Sequence, residues 1–245
     1  MNKPPITQVD TESAAGHGRR GFIKAGLVVA AVTLLPGIAA GATLPTTQAT
    51  TKKVLVINAH QKYPGISEGR LNRSYVALIK DEMGKKGYEV RETNIEQGYD
   101  INEEVQKHLW ADIIVTQSPM FWFGPPWIYK KYVDEVFTAG MIQQSFISGD
   151  GRTPDDPSKQ YGTGGKLQGK KFLLSVTMNT PKQAFDDPNQ KLHAGRSLED
   201  LFSSTNAVYK FCGVEVLPMF GSFDVIKNPQ ISSDMERLKQ RLASL

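Results

Sequence analysis

The chain has 245 residues, 29 of them basic and 25 acidic, with 40% hydrophobic and 22% charged. That length fits one ordinary domain with an accessory segment, and the composition is that of a globular protein whose core needs no covalent staples. The single cysteine, Cys212, excludes an intrachain disulfide, a cysteine-based zinc site and a CxxC redox pair, and a net charge of +4 is too mild to point to nucleic acid.

Residues 1–18 are polar and irregular. Gly18-Arg19-Arg20-Gly21-Phe22-Ile23-Lys24 then precedes a weakly apolar stretch from Ala25 to Ala39, and Ala40-Gly41-Ala42 offers the small residues of a signal-peptidase site. A paired arginine ahead of an apolar segment is the twin-arginine export signature. The stretch contains Gly26, Pro36 and Gly37 and falls short of the about 20 residues of a spanning helix, which favours cleavage over retention as an anchor. The expected plan is a signal peptide over 1–42, a polar linker over 43–52 and one domain over 53–245. The twin-arginine translocase would deliver it folded to the periplasm, with no stable membrane span after cleavage. Without the first 42 residues, 25 basic residues face 23 acidic ones. Export in the folded state suits a protein that acquires a cofactor in the cytoplasm.

The β-branched run Val54–Asn58 predicts a buried strand. A polar loop with Gly65 and Gly69 follows. Leu71, Tyr75, Leu78, Ile79 and Met83 then fall at helical spacing over Leu71–Lys86, with Gly87 where a C-terminal cap is wanted. Next come a strand over Tyr88–Asn94, a short helix over Asn102–Leu109, an apolar strand over Asp112–Thr116 and a proline-opened helix over Pro125–Phe137. The segment from Gly140 to Gly169 has no period, and a loop that long inside a compact domain is functional or disordered. Lys171–Met178 reads as a strand, Ser197–Phe211 as a helix, Val214–Phe220 as a strand and Ser232–Leu245 as a closing helix. Five alternations predict an α/β domain whose five-stranded parallel sheet has the flavodoxin-like order 2-1-3-4-5, with helices on both faces.

In such sheets ligands sit beyond the carboxyl ends of the strands. Ser67-Glu68-Gly69-Arg70-Leu71-Asn72-Arg73-Ser74 ends one such loop and opens a helix, whose free amides favour a phosphate; an ordinary solvated cap fits equally well. It has neither GxGxxG nor a P-loop pattern. Met120-Phe121-Trp122-Phe123 sits among four aromatics in nine positions, suited to a planar isoalloxazine ring or to the core of an oligomer interface. Thr177-Met178-Asn179-Thr180 offers amide and hydroxyl donors, or plain turn chemistry at a strand end. His193 is a candidate proton donor to a reduced quinone, or an incidental loop residue. His60 and His108 are expected to face solvent, with no carboxylate cluster to suggest a metal, and Cys212 reads as a buried structural thiol. No Gly-x-Ser-x-Gly elbow is present, which weakens a hydrolase reading.

The most specific runs are Leu109-Trp110-Ala111-Asp112, Gly124-Pro125-Pro126-Trp127 with Lys130-Lys131-Tyr132-Val133-Asp134-Glu135-Val136-Phe137, Asp150-Gly151-Arg152-Thr153, Asp156-Pro157-Ser158-Lys159-Gln160-Tyr161-Gly162-Thr163-Gly164-Gly165 and Gln168-Gly169-Lys170-Lys171. From about Lys53 to Leu245 the chain closely resembles the modulator of drug activity B family of NAD(P)H:quinone oxidoreductases. The resemblance implies an FAD-bound homodimer, FAD being favoured over FMN, that reduces a quinone by two electrons in ping-pong fashion with NADPH or NADH as donor. It implies that Ser67, Gly69, Leu71, Asn72 and Ser74 meet the adenine dinucleotide portion. Met120, Phe121, Trp122 and Phe123 would line the isoalloxazine, and Tyr161 with Thr177, Met178, Asn179 and Thr180 would complete the pocket. The loop before Ser67 is one residue longer than the family's. Phe121 stands where a Trp is familiar and Met178 where an aromatic is, which thins the aromatic wall. The competing reading is an exported flavodoxin-like electron carrier without NAD(P)H activity of its own, since reduced nicotinamides are scarce outside the cytoplasm. A third is an interaction protein that keeps the fold and has lost the flavin. Small flavodoxins are strongly acidic, and the near-neutral mature chain favours the enzyme.

Overall fold

The structure, a computed structural model, describes residues 51–245. The arginine pair, the apolar stretch after it and most of the linker lie outside the described residues. Strand β1 (Lys53–Asn58) is buried along nearly its whole length, as a parallel strand covered on both faces must be. It pairs in parallel with β2 (Glu89–Asn94) on one side and β3 (Ile113–Pro119) on the other. β3 pairs with β4 (Lys171–Thr177), and β4 carries two short pieces, β5 (Glu215–Val216) and β6 (Phe220–Ser222). These two pieces are one interrupted fifth strand, broken around Pro218, which has no N–H to give a ladder. The sheet order is therefore 2-1-3-4-5, as expected.

Helix α1 (Arg70–Lys85) and helix α6 (Ile231–Ala243) cover one face of the sheet, packing Tyr75, Ile79, Met83, Leu238 and Leu242 on Val54, Val56, Val115 and Leu173. Helices α2 (Ile101–Trp110), α3 (Trp127–Ile142), α4 (Leu198–Leu201) and α5 (Ser203–Phe211) cover the other face with Val105, Tyr132, Val136, Leu198 and Tyr209, joined by Phe146 and Phe202 from the connecting segments. α1 ends in a Schellman motif, with Tyr88 N–H donating to Met83 O, Gly87 N–H to Gly84 O, and Gly87 at φ 76. α2 starts on Asp100, whose carboxylate accepts the Glu103 N–H.

Three elements differ from expectation. The single helix Ser197–Phe211 is two, because a capping box at Ser197 and Asp200 starts α4 and Phe202 leaves helical geometry after one turn. The strand over Val214–Phe220 runs on to Ser222 in two pieces. α3 begins after both prolines and continues to Ile142. The long segment before β4 has no helix or strand, and its ends are tied down by Lys166 N–H to Phe146 O and Leu167 N–H to Cys212 O. Cys212 is buried, which pushes its thiol pKa up to about 12. Among the described residues no helix is long and apolar enough to cross a membrane.

His108 corrects its expectation outright. It is fully buried, ringed by Tyr132, Phe137, Phe146 and Tyr209, because α3 and α5 close over the face of α2 that carries it. Its Nδ1 lies 2.9 Å from Glu104 O, so Nδ1 carries the proton of the neutral ring, and Nε2 has no partner. Burial pulls its pKa down from 6.5 to about 4. Above pH 6.5 the ring is neutral in both folded and unfolded chains. As pH falls toward 4 only the unfolded chain takes the proton, so stability declines, by on the order of 3 kcal/mol, and levels off below. His60, also buried and held low, adds in the same direction. Thermal midpoints at pH 7.5 and 4.5 check this: His108→Met is expected to lose a clear part of the wild-type decline, and an equal decline would refute the neutral buried ring.

Candidate functional site

Three loops leave the carboxyl ends of β1, β3 and β4 side by side and enclose a cavity of ≈ 730 Å³. The first, Ala59–Gly69, folds back through Tyr63 N–H to Ser67 O and Ser67 N–H to Tyr63 O and delivers the chain to α1. Gly69 sits at φ 73, a left-handed conformation at a position where a Cβ would lie 2.7 Å from the His60 ring. No side chain caps α1, so its first-turn amides open on the cavity, and Arg70 lies beside them without an ion-pair partner among the described residues. Free helix-start amides with an adjacent cation are a donor set for a phosphate.

The second loop is a two-residue hairpin. Phe121 N–H donates to Gly124 O at 2.8 Å and Gly124 N–H returns to Phe121 O, while Trp122 and Phe123 both take positive φ, 49° and 69°. A tight turn of this hand demands that conformation, normally met by Asn or Gly, so Trp and Phe there hold strain on the order of 1–2 kcal/mol each. The turn throws Trp122 outward, 94% exposed. The third loop runs along the segment after β6: Val225 N–H donates to Met178 O, Asp224 N–H to Thr180 O, and the Asn179 Oδ1 accepts from the Ile226 and Lys227 amides. With its oxygen so engaged, Asn179 has its Nδ2 left to offer a ligand.

Ser67, Gly69, Leu71 and Asn72 line the cavity, and so do Met120, Phe121, Thr177, Met178 and Asn179. The other expected residues lie elsewhere. The Ser74 hydroxyl bonds back to Arg70 O on the outer side of α1. Thr180 serves through its carbonyl, and Trp122 and Phe123 stand beyond the wall. Tyr161, 68% exposed, leans on Phe211 at 5.2 Å under the Arg152 guanidinium. It borders a separate apolar groove of ≈ 410 Å³ between α3 and α5, so within one chain the long loop does not bring it to the cavity. His193 is 4% exposed, stacked on Phe185 at 4.6 Å with its edge to Phe123, and is not in the wall. The backbone amides of Met120, Phe121 and Met178 are used by the fold itself, and that of Asn179 has no backbone partner.

The cavity histidine is His60, expected in solvent and found 3% exposed. Ser67 and Phe121 close over it: its Nε2 lies 3.1 Å from Ser67 Oγ and the Phe121 ring meets it edge-on. Its Nδ1 is 3.6 Å from Glu96, too long for a hydrogen bond. Burial holds its pKa below the ordinary value, against the opposing pull of Glu96. Glu68 is held low by the Gly65 amide and Lys62. Val225 and Ile226 also line the wall; the rule of strand carboxyl ends identifies them once the fifth strand is followed past Pro218. Among the described residues no three His, Cys, Asp or Glu side chains converge as a metal would require.

Residues 52–244 match a family model described as flavodoxin-like fold. The chain is 39% identical to the NADPH:quinone oxidoreductase MdaB of Haemophilus influenzae over 68% of this chain and 85% of that one. It is 38% identical to an uncharacterized protein of Schizosaccharomyces pombe over 73% of this chain and 89% of the relative. Among solved structures, the general stress protein 14 of Treponema denticola in complex with FMN shares the fold with a TM-score of 0.52 at 17% identity, covering 79% of this chain and 98% of that one.

Proposed function

The chain belongs to the flavodoxin-like NAD(P)H:quinone oxidoreductase family, and from that premise we propose that it is a flavin-dependent enzyme passing two electrons from NADPH or NADH to a quinone. The observation that carries this reading is the cavity itself. Its lining includes uncapped helix-start amides and Arg70, suited to phosphate, and Phe121, Met178 and the free donors of Asn179, suited to a flat ring with a polar edge. When bound, the flavin supplies the two-electron chemistry. The residues present fit such a group, and FAD rather than FMN is the form this reading takes from the resemblance of Ser67–Ser74 to the family's dinucleotide-contacting segment.

The protein's own part is to bind, orient and exclude water. Arg70 and the first turn of α1 fix the phosphate end. Phe121 and Met178 would hold the ring, and Asn179 Nδ2 is free to donate to it. A ping-pong order belongs to this reading, with nicotinamide and quinone using the open side of the cavity in turn. Proton donation by His193 finds no contact in this arrangement; His60, neutral and in the wall, is the histidine nearest the ligand. A homodimer belongs to the same reading, since Met141 and Ile142 on α3 and the groove beneath Tyr161 form an exposed apolar face that a second copy can cover. So does a periplasmic location by the twin-arginine route, on the strength of Arg19, Arg20 and the segment through Ala42.

The test is the visible spectrum of the purified protein, followed by NADPH without oxygen. Flavin absorbance near about 450 nm that bleaches with NADPH, and returns on adding a quinone, is the expected result. Absence of flavin, both as purified and after incubation with FAD, would refute the reading. Flavin that stays oxidised under NADPH and NADH would replace it with the electron carrier.

A further inference from the structure

On the α1 face of the sheet, side chains of β1, β3 and β4 form rows in register. Val56, Val115 and Leu173 make one apolar row. Two residues nearer the cavity, the next row is Asn58, Gln117 and Ser175, each 3% exposed or less. The row after that contains Pro119 and Thr177, which line the cavity. A core layer so deep is most easily filled by apolar groups, because every buried amide or hydroxyl must find a partner or cost about 1–3 kcal/mol. Here each finds one. Ser175 Oγ donates to Gln117 Oε1 at 2.6 Å, Gln117 Nε2 donates to Asn72 Oδ1 at 3.1 Å, and Asn72 Nδ2 donates to Asn58 Oδ1 at 2.7 Å. Gln117 Nε2 also faces the Ser118 carbonyl at 3.4 Å. A carbonyl only accepts, so the Gln117 nitrogen must lie on that side, and this sets the direction of the whole chain of bonds.

Asn72 is the member that comes from α1, and the first turn of α1 is a wall of the cavity. We infer that the buried row Asn58–Gln117–Ser175, with Gln117 as its hub, is the positioning device of the cavity. Through Asn72 it sets the height and rotation of the first turn of α1, and so of the amides and Arg70 that meet the phosphate of the flavin. The inference rests on the flavin reading above. Asn58, Gln117 and Ser175 are positioning residues and touch no ligand.

Flavin-free protein titrated with FAD, followed by quenching of flavin fluorescence, tests it alongside the thermal midpoint of each variant. Gln117→Leu is expected to weaken FAD binding roughly tenfold, the equivalent of about 1.4 kcal/mol, and the milder Ser175→Ala about threefold. Gln117→Met keeps the length of the side chain but cannot donate to Asn72 or to Ser118, so it should weaken binding as Gln117→Leu does. Leu173→Ala, one row deeper in the same face, should lower the midpoint at least as far and leave FAD affinity within about twofold. Without any ligand, hydrogen exchange of the Arg73–Tyr75 amides, the first in α1 that are hydrogen-bonded, should quicken in Gln117→Leu and stay unchanged in Leu173→Ala. If Gln117→Leu does not fold, Ser175→Ala with the exchange measurement carries the test. Wild-type affinity in the Gln117 and Ser175 variants would overturn the inference and leave the flavin reading standing, as would equal losses in Leu173→Ala. A wild-type chain that binds no flavin would overturn both.

Discussion

Replacing Glu104 with alanine is expected to destabilise the protein by about 3–5 kcal/mol, lowering its thermal midpoint by on the order of 10 °C. Glu104 is 1% exposed on α2, yet it is the acceptor on which three donors converge. The Thr93 hydroxyl at the end of β2 reaches both of its oxygens at 2.9 and 2.8 Å, Tyr132 of α3 donates at 2.7 Å, and Lys107 Nζ lies at 2.8 Å. Removing the carboxylate leaves the Tyr132 hydroxyl in a low-dielectric seam without a partner and Lys107 with only the exposed Glu103 and the Thr93 hydroxyl, and burial already drives the Tyr132 pKa well up. Glu104→Gln keeps an acceptor oxygen but turns an NH₂ toward a donor, so it should fall between wild type and alanine. Urea denaturation at pH 7 measures both, through the midpoint at constant slope. A loss below about 1 kcal/mol for Glu104→Ala would show that the seam is not held by this residue. None of Thr93, Glu104, Lys107 and Tyr132 lines the cavity, and flavin affinity measured on the folded fraction should not move.

The largest expected loss of ligand binding comes from Gly69→Ala, which should weaken FAD affinity by at least about a hundredfold, or about 2.7 kcal/mol. Two effects add. At φ 73 an alanine costs about 1–2 kcal/mol in backbone strain. Its Cβ would also stand 2.7 Å from His60 Cε1, 2.8 Å from His60 Nδ1 and 2.9 Å from Arg73 Nη1. His60 is enclosed by Ser67, Glu96 and Phe121, so it can yield only toward the cavity, or α1 must shift away from the sheet. Gly65→Ala separates the two effects. Gly65 has the same backbone hand at φ 74 with open space around its Cβ position, so it should lose stability by the strain alone and keep FAD affinity within a few-fold. Similar affinities for the two alanine variants would refute the role given to the His60 contact.

Much of the fold was legible because it is written in short-range patterns. Val54–Ile57 is an unbroken apolar run and Lys171–Met178 a mostly apolar one, the spacing of Tyr75, Ile79 and Met83 marks one helix face, and Gly87 closes that helix. Once strands and helices alternate, parallel pairing and a ligand site at the carboxyl ends follow from chain connectivity. The loops that line the cavity were found for that reason: Ser67 through Asn72, Met120 with Phe121, and Thr177 through Asn179 all follow strand ends. Pro218 hid the last piece of the sheet, and with it Val225 and Ile226, because a proline within a short run reads as its end.

The sequence by itself determined the strand order, the two helical faces and the rim on which a ligand can sit, since each depends on residues a few positions apart. Tertiary structure alone decided which polar groups belong to the site. His60 and His108 carry no local mark of burial, and each is enclosed by side chains from remote elements: Glu96 and Phe121 over the first, α3 and α5 over the second. Tyr161 and His193 sit in loops without a period, so no spacing fixes where they end up, and they came to rest on Phe211 and Phe185 rather than on the cavity. Asn58, Gln117 and Ser175 lie 58 or more residues apart across three strands, and only the register of the sheet turns three ordinary polar residues into one connected row. A side chain's direction is local, but what it meets is not, and for a buried polar group the partner decides both its energy and its use.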